Sequence, residues 1–176
     1  MNKVLVIVDM QHDFITGPLG NDECRAVVPK IADLLKTRDY DRVIFTMDTH
    51  GQNYLDTQEG KNLPVTHCIE NTPGWKLVSE IADSVKPGTK IAVIKKQSFG
   101  SLDLGDCLKG LAKAGKMEID FVGVCTGICV ISNVMIAKAA VPETPINVLA
   151  ECCACVTPKS HENALEAMRL CQVNIM

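Results

Sequence analysis

Several side chains capable of chemistry stand directly after short aliphatic runs in this chain of 176 residues. Asp9 follows VLVIV, where a carboxylate can act as a general base or cap the next helix. A second run ends in Asp48-Thr49-His50, and His67 follows in a polar stretch. An Asp-x-His pair on an extended segment puts both side chains on one face. A second imidazole, as third ligand, would complete a set of N and O ligands that leaves positions open for water or substrate, the arrangement of a catalytic Zn, Fe or Mn ion. The same histidines also read as ordinary loop residues. Lys95-Lys96 ends a third run and by itself reads as a solvated pair. The fourth run ends in GVCTGICV, which places Cys129 in the first turn of a helical pattern. Backbone N–H groups and the helix dipole favour a thiolate there, and Gly123 and Gly127 indicate close backbone approach. A buried core thiol is the other reading of Cys129.

The elements that must position these residues follow from hydropathy. Continuous apolar runs at Val4 to Val8, Val43 to Met47, Ile91 to Ile94, Ile119 to Val124, Ile146 to Ala150 and, more weakly, Val173 to Ile175 suit strands buried on both faces of a parallel sheet. Between them, apolar residues recur at spacings of three and four. These helical patterns are Val27, Val28, Ile31, Leu34 and Leu35; Leu77, Val78, Ile81 and Val85; and Leu104, Cys107, Leu108 and Leu111. Pro87-Gly88 stops the second and Gly115 the third. Thr157 as N-cap and Pro158 at the first helical position open a last helix. The alternation predicts one domain over residues 1–176, an α/β fold with three layers (α/β/α, Rossmann-like) and a mostly parallel sheet of about six strands. Its site is expected at the C-terminal ends of the strands. The polar stretch from Asp48 to Pro73 is longer than an ordinary connection, which marks a functional or disordered loop.

Composition narrows the functions. Lys+Arg number 18 and Asp+Glu 21, a net charge of -3 without a basic run, so no nucleic-acid partner is expected. No apolar run approaches the roughly 18 residues of a membrane helix, and the first segment meets Asp9 without a cleavage site. No membrane partner is expected, and the reading is a cytoplasmic protein. Nine cysteines, an odd number, several of them inside apolar runs, then act mostly as small buried hydrophobes.

Taken in order, DMQHDF, MDTH with THCIENTPGW, IKKQSF and GVCTGICV, followed by the tail AECCACVTPKSHENALEAM, resemble the isochorismatase-like cysteine hydrolases, particularly the nicotinamidase-related branch. The resemblance covers nearly the whole chain. It implies Cys129 as nucleophile, Asp9 as general base and Lys96 as the catalytic lysine, chosen over Lys95 because Phe99 stands three residues later. It further implies Asp48, His50 and His67 as ligands of a divalent metal, Zn first with Fe or Mn as alternatives. A cis peptide at Val124-Cys125 would aim the Cys125 N–H, with that of Cys129, at an oxyanion. Phe14 becomes a wall of the substrate pocket. At positions where nicotinamidases commonly carry aromatics, this chain has Leu63-Pro64-Val65-Thr66 and Ile128, and Gly127 replaces a usual aspartate. Only Phe14, Phe99 and Trp75 remain as candidate walls.

The implied reaction is hydrolysis of a small-molecule amide through a thioester, with nicotinamide as the first substrate and a carbamoyl or ureido compound as the alternative. An ammonium about 4 Å from a thiol, at an effective dielectric near 20, contributes roughly 4 kcal/mol, so Lys96 is expected to hold Cys129 ionised. A non-enzyme alternative is a thiol or metal sensor built on Cys152, Cys153 and Cys155. Aliphatic helix faces suggest a homo-oligomer.

Overall fold

Every aliphatic run forms a strand. The computed structural model describes residues 1–176 and orders the elements as β1 (Asn2–Val8), α1 (His12–Ile15), α2 (Asp22–Thr37), β2 (Arg42–Asp48), α3 (Gln58–Asn62), α4 (Ser79–Ala82), β3 (Lys90–Lys96), α5 (Leu102–Ala114), β4 (Met117–Val124), α6 (Ile131–Ala140), β5 (Ile146–Ala154), α7 (Pro158–Leu170) and β6 (Asn174–Ile175). The six strands run in the order β3-β2-β1-β4-β5-β6, all parallel.

Because strand side chains alternate, the sheet feeds two cores. Leu5, Ile7, Val43, Phe45 and Val122 lie beneath α2 and α4, while Val4, Val6, Ile44, Ile119 and Phe121 lie beneath α5, α6 and α7. Both faces of β1 are covered, which is why its run is continuously apolar rather than alternating. Each such side chain contributes about 1.5–3 kcal/mol by leaving water. The result is the three-layer α/β/α arrangement expected from the sequence. No helix is long and apolar enough to cross a membrane.

Two departures from the expected elements matter for the site. The Leu77 to Val85 pattern yields only the single turn α4, because Leu77 forms an antiparallel bridge with Gln11 and the Val78 N–H donates to the Met10 carbonyl at 2.9 Å. These residues are held extended to tie the long loop to the exit of β1. Strand β5 runs on to Ala154, so Cys152 and Cys153 sit in a strand and enter opposite cores. At the other end of that turn, α7 begins on a capping box: Thr157 Oγ1 accepts from the Ser160 N–H and Ser160 Oγ accepts from the Thr157 N–H, both at 3.1 Å.

The helix that follows β1 covers one face and the helix that follows β4 covers the other. Between these neighbouring strands the order reverses, and a crevice opens at their C-terminal ends.

Candidate active site

Asp9 is the first residue beyond β1 and adopts φ 50, a left-handed conformation uncommon for a residue with a side chain. Neighbouring β2 over-determines it. The Asp9 N–H donates to the Thr46 carbonyl at 3.2 Å, and Thr46 Oγ1 donates to Asp9 Oδ1 at 2.6 Å. The carboxylate is wholly buried and turned into the crevice.

Cys129 reaches the same point from β4. Gly123 has φ 117, and a Cβ there would collide with the Val8 carbonyl, so glycine is required where β4 closes on β1. Beyond it the Val124-Cys125 peptide is cis. Residues Thr126–Val130 then form a wide turn in which the N–H groups of Ile128 and Val130 both donate to the Cys125 carbonyl, at 3.0 and 3.1 Å. Cys125 and Cys129 thus stand at either end of one turn leading into α6. Asn133 anchors it, donating to the Cys129 carbonyl at 2.8 Å and the Phe99 carbonyl at 3.0 Å.

Lys96 joins these two. Strand alternation turns Lys95 outward, where it pairs with Glu70 at 2.6 Å, and Lys96 inward. The Lys96 Nζ lies 2.6 Å from Asp9 Oδ2, 3.3 Å from Asp48 Oδ1 and 3.7 Å from Cys129 Sγ, with its side chain 1% exposed. Asp9 Oδ2 has no hydrogen-bond donor of good geometry beyond that ion pair. Burial pushes the Lys96 ammonium down, but the charges of Asp9, Cys129 and Asp48 override it and keep the lysine protonated.

The same geometry revises the expected state of Cys129. Burial raises its thiol well above the ordinary value, and the Asp9 charge adds to the rise against the opposing pull of Lys96. Lys96 is closer to two carboxylates than to the sulfur, so its charge is largely spent on them. Burial and the Asp9 carboxylate thus favour the neutral form of the Cys129 thiol over the thiolate. Asp9 is itself raised, by burial first and by the Asp48 charge, against the lowering effect of Lys96.

A second cluster adjoins the first through Asp48. His50 Nε2 lies 2.9 Å and His67 Nε2 3.4 Å from Asp48 Oδ2, and both imidazoles lie 3.7 Å from Glu59 Oε1. All four ligand atoms fall within 4.8 Å of one another. The loop is built to hold them. The His50 N–H donates to the Cys68 carbonyl at 2.9 Å, and the Glu70 N–H donates back to the His50 carbonyl at 3.0 Å. His67 Nδ1–H donates to the Val65 carbonyl at 2.8 Å, which points its Nε2 lone pair into the cluster. Fully buried Tyr54 packs between both imidazoles, with ring centroids at 4.7 and 4.9 Å. Two imidazoles and two carboxylates facing one point suit a divalent Zn, Mn or Fe ion. Burial opposes ionisation of Asp48, yet hydrogen bonds to His50 and His67 and the Lys96 charge hold it well below the usual carboxylate range.

The structure therefore brings together Asp9, Lys96 and Cys129 on one side of Asp48, and Asp48, His50 and His67 on the other. Half-buried Phe14 flanks the cluster, its ring centroid 5.5 Å from that of His67. Trp75 also stands at this rim, donating from Nε1 to Thr49 Oγ1 at 2.9 Å under the Lys95 ammonium. Glu59 was not legible in the sequence. The one signal was an acidic residue in the first turn after Thr57 within the loop, and nothing local distinguishes it from a capping acid. Gln11 has no sequence signal either; it grips the Asp48 backbone from both sides and the Trp75 carbonyl, fixing loop to strand end.

Comparison with known proteins places this geometry. The isochorismatase domain family matches residues 3–176. A nicotinamidase of Saccharomyces cerevisiae is 34% identical over 113 residues, covering 47% of this chain and 51% of the yeast protein. The secreted isochorismatase effector Isc1 of Verticillium dahliae is 28% identical over 137 residues, covering 73% of this chain and 61% of its own. The chain thus spans between half and two thirds of the length of the curated relatives it matches. A pyrazinamidase of Pyrococcus horikoshii, solved in complex with zinc, superposes with a TM-score of 0.81 at 25% identity, over 100% of this chain and 99% of that one. With the sheet order, the strand-end residues and the full-length family match in agreement, the chain belongs to the isochorismatase-like hydrolase family.

Proposed function

We propose that this chain hydrolyses the carbon-nitrogen bond of a small-molecule amide through a thioester on Cys129, in the manner of a nicotinamidase. The observation that carries the reading is the buried contact of Lys96 Nζ with Asp9 Oδ2 at 2.6 Å and with Cys129 Sγ at 3.7 Å. Asp9 removes the thiol proton as Cys129 attacks the carbonyl carbon, so ionisation accompanies attack instead of preceding it. Lys96 holds the Asp9 carboxylate in place and offsets the negative charge that builds on the sulfur. The N–H groups of Cys125 and Cys129 would hold the developing oxyanion, a contribution of about 2.7–4 kcal/mol per donor. Asp9 returns its proton to the departing nitrogen, and ammonia leaves. It then takes a proton from the water that cleaves the thioester and frees the acid.

Asp48, His50, Glu59 and His67 would hold a divalent ion, zinc by the ligand types. Such an ion supplies Lewis acidity toward a substrate nitrogen or oxygen. Phe14 would lie against a planar substrate. Carrying nine thiols without a disulfide, the enzyme would work in a reducing compartment, the cytoplasm.

One observation favours a carbamoyl or ureido amide as the second reading. Where nicotinamidases commonly carry aromatics, Thr66 precedes His67 and Ile128 precedes Cys129, which leaves few flat walls for a pyridine ring. A product screen separates the two. Nicotinamide and pyrazinamide should release ammonia and the free acid, with divalent metal bound to the purified protein. Carbon dioxide together with ammonia from ureido compounds alone would replace the first substrate with the second, and no ammonia from any amide would reject both.

A further inference from the structure

A second group of thiols lies behind the nucleophile turn, and the mechanism makes no use of its sulfurs. Cys24 comes from α2, Cys125 from the exit of β4 and Cys155 from the residue just past β5. Val124 and Ala154 are register partners at the ends of β4 and β5, so Cys125 and Cys155 are the next residues on two adjacent strands. Cys24 and Cys125 are packed in the core beneath α2. Cys155 sits against the nucleophile turn, its Sγ 3.4 Å from where a Cβ on Gly127 would stand. Although only 2% of Cys155 is exposed, it lines a cavity of about 340 Å³ between α2 and the start of α7, beside Lys30, Thr157 and His161. That volume admits a small hydroperoxide, since a water molecule occupies about 30 Å³ in the liquid.

We propose that Cys155 and Cys125 form an oxidisable dithiol, a modification site for hydroperoxides placed directly behind the nucleophile turn. The Cys155 sulfur attacks one peroxide oxygen, the O–O bond breaks, and the second oxygen leaves and is protonated. Cys155 is then a sulfenic acid. The Cys125 sulfur attacks it, forming the S–S bond and expelling hydroxide, which takes up the Cys125 proton as water. Two thiols have lost two electrons and the hydroperoxide has gained them. Cys155 is the better first nucleophile, because the neighbouring Cys125 thiol first, and then Ser160 and the backbone at Gly127 and Val156, pull it down to about 5 against burial. Cys125 is raised, by its neighbours Cys155 and Cys24 before burial is added, and suits the second step. Its carbonyl accepts from Ile128 and Val130, so a covalent pull on Cys125 displaces the turn that carries Cys129.

The test treats the fully reduced protein with graded hydrogen peroxide, blocks remaining thiols with N-ethylmaleimide and maps peptides by mass spectrometry without reductant. A Cys125–Cys155 linked peptide should be the first to appear. It should revert with dithiothreitol, form unhindered in Cys24→Ser and fall to background in Cys155→Ser, which keeps its hydrolytic rate. Hydrolysis lost and recovered with dithiothreitol should track that peptide, whereas oxidation of Cys129 registers on a different one. A first disulfide between Cys24 and Cys125, or Cys155 still free to react with maleimide after the other thiols are oxidised, overturns the proposal. Peptide mapping needs no substrate, so its outcome is independent of the amide reading above.

Discussion

Two strand-to-helix turns lie side by side at one end of the sheet, and their thiols are tuned in opposite directions. The turn from β4 into α6 carries Cys129, raised well above an ordinary thiol by burial and by Asp9. The junction from β5 into α7 carries Cys155, lowered to about 5 by its neighbours, with the Cys125 thiol first among them. Both sulfurs stand near the start of a helix, where the dipole favours an anion. The dipole therefore does not decide which one ionises. What decides is burial together with the surrounding charges and donors: burial and Asp9 outweigh Lys96 at Cys129, whereas the neighbouring groups outweigh burial at Cys155. A thiol held neutral reacts slowly with oxidants, whereas a thiol of lowered pKa reacts faster.

The largest test of this contrast exchanges the two sulfurs' importance. Cys129→Ala should lower amide turnover by at least about 10³-fold, while Cys155→Ser stays near the wild-type rate, both read by ammonia release. Equal losses in the two variants would remove the distinction. Next comes Asp9→Asn, expected to reduce turnover by about 10²–10⁴-fold through loss of the base. The same change removes the negative neighbour and leaves Lys96 in place, so the Cys129 pKa should fall and its alkylation by iodoacetamide at neutral pH should accelerate. Slower alkylation would mean that Asp9 does not hold the thiol neutral.

Smaller effects test how each turn is built. Gly123→Ala places a methyl against the Val8 carbonyl in a left-handed conformation, and should lower stability by about 1–3 kcal/mol, several degrees in thermal unfolding. Gly110→Ala, on α5 with open space around it, should instead raise stability by up to about 1 kcal/mol. The smallest effect belongs to the bond between the two turns, Thr126 Oγ1 with His161 Nδ1 at 2.8 Å. His161→Ala should cost about 1 kcal/mol in chemical denaturation. A cost near zero would show the turns to be mechanically independent.

Much of this architecture was legible from local pattern. Strands buried on both faces write themselves as continuous apolar runs, and Thr157-Pro158 announced the start of α7 because capping is a local interaction. The failures share a cause as well. Leu77 to Val85 has helical spacing, but a tertiary bridge to Gln11 claims its first residues. Glu59 sits among the polar residues of a loop, and only packing around Tyr54 brings it to His50 and His67.

From the sequence alone came the α/β order and the set of reactive residues at the strand ends, because both depend on neighbours within a few positions. The family resemblance, through the aromatic three residues after the lysine, also favoured Lys96 over Lys95. Only the folded chain decided the protonation of Cys129, the fourth member of the metal cluster and the acidity of Cys155. Each depends on burial and on charges or donors contributed by separate elements, and such Coulomb and desolvation effects act across space rather than along the chain.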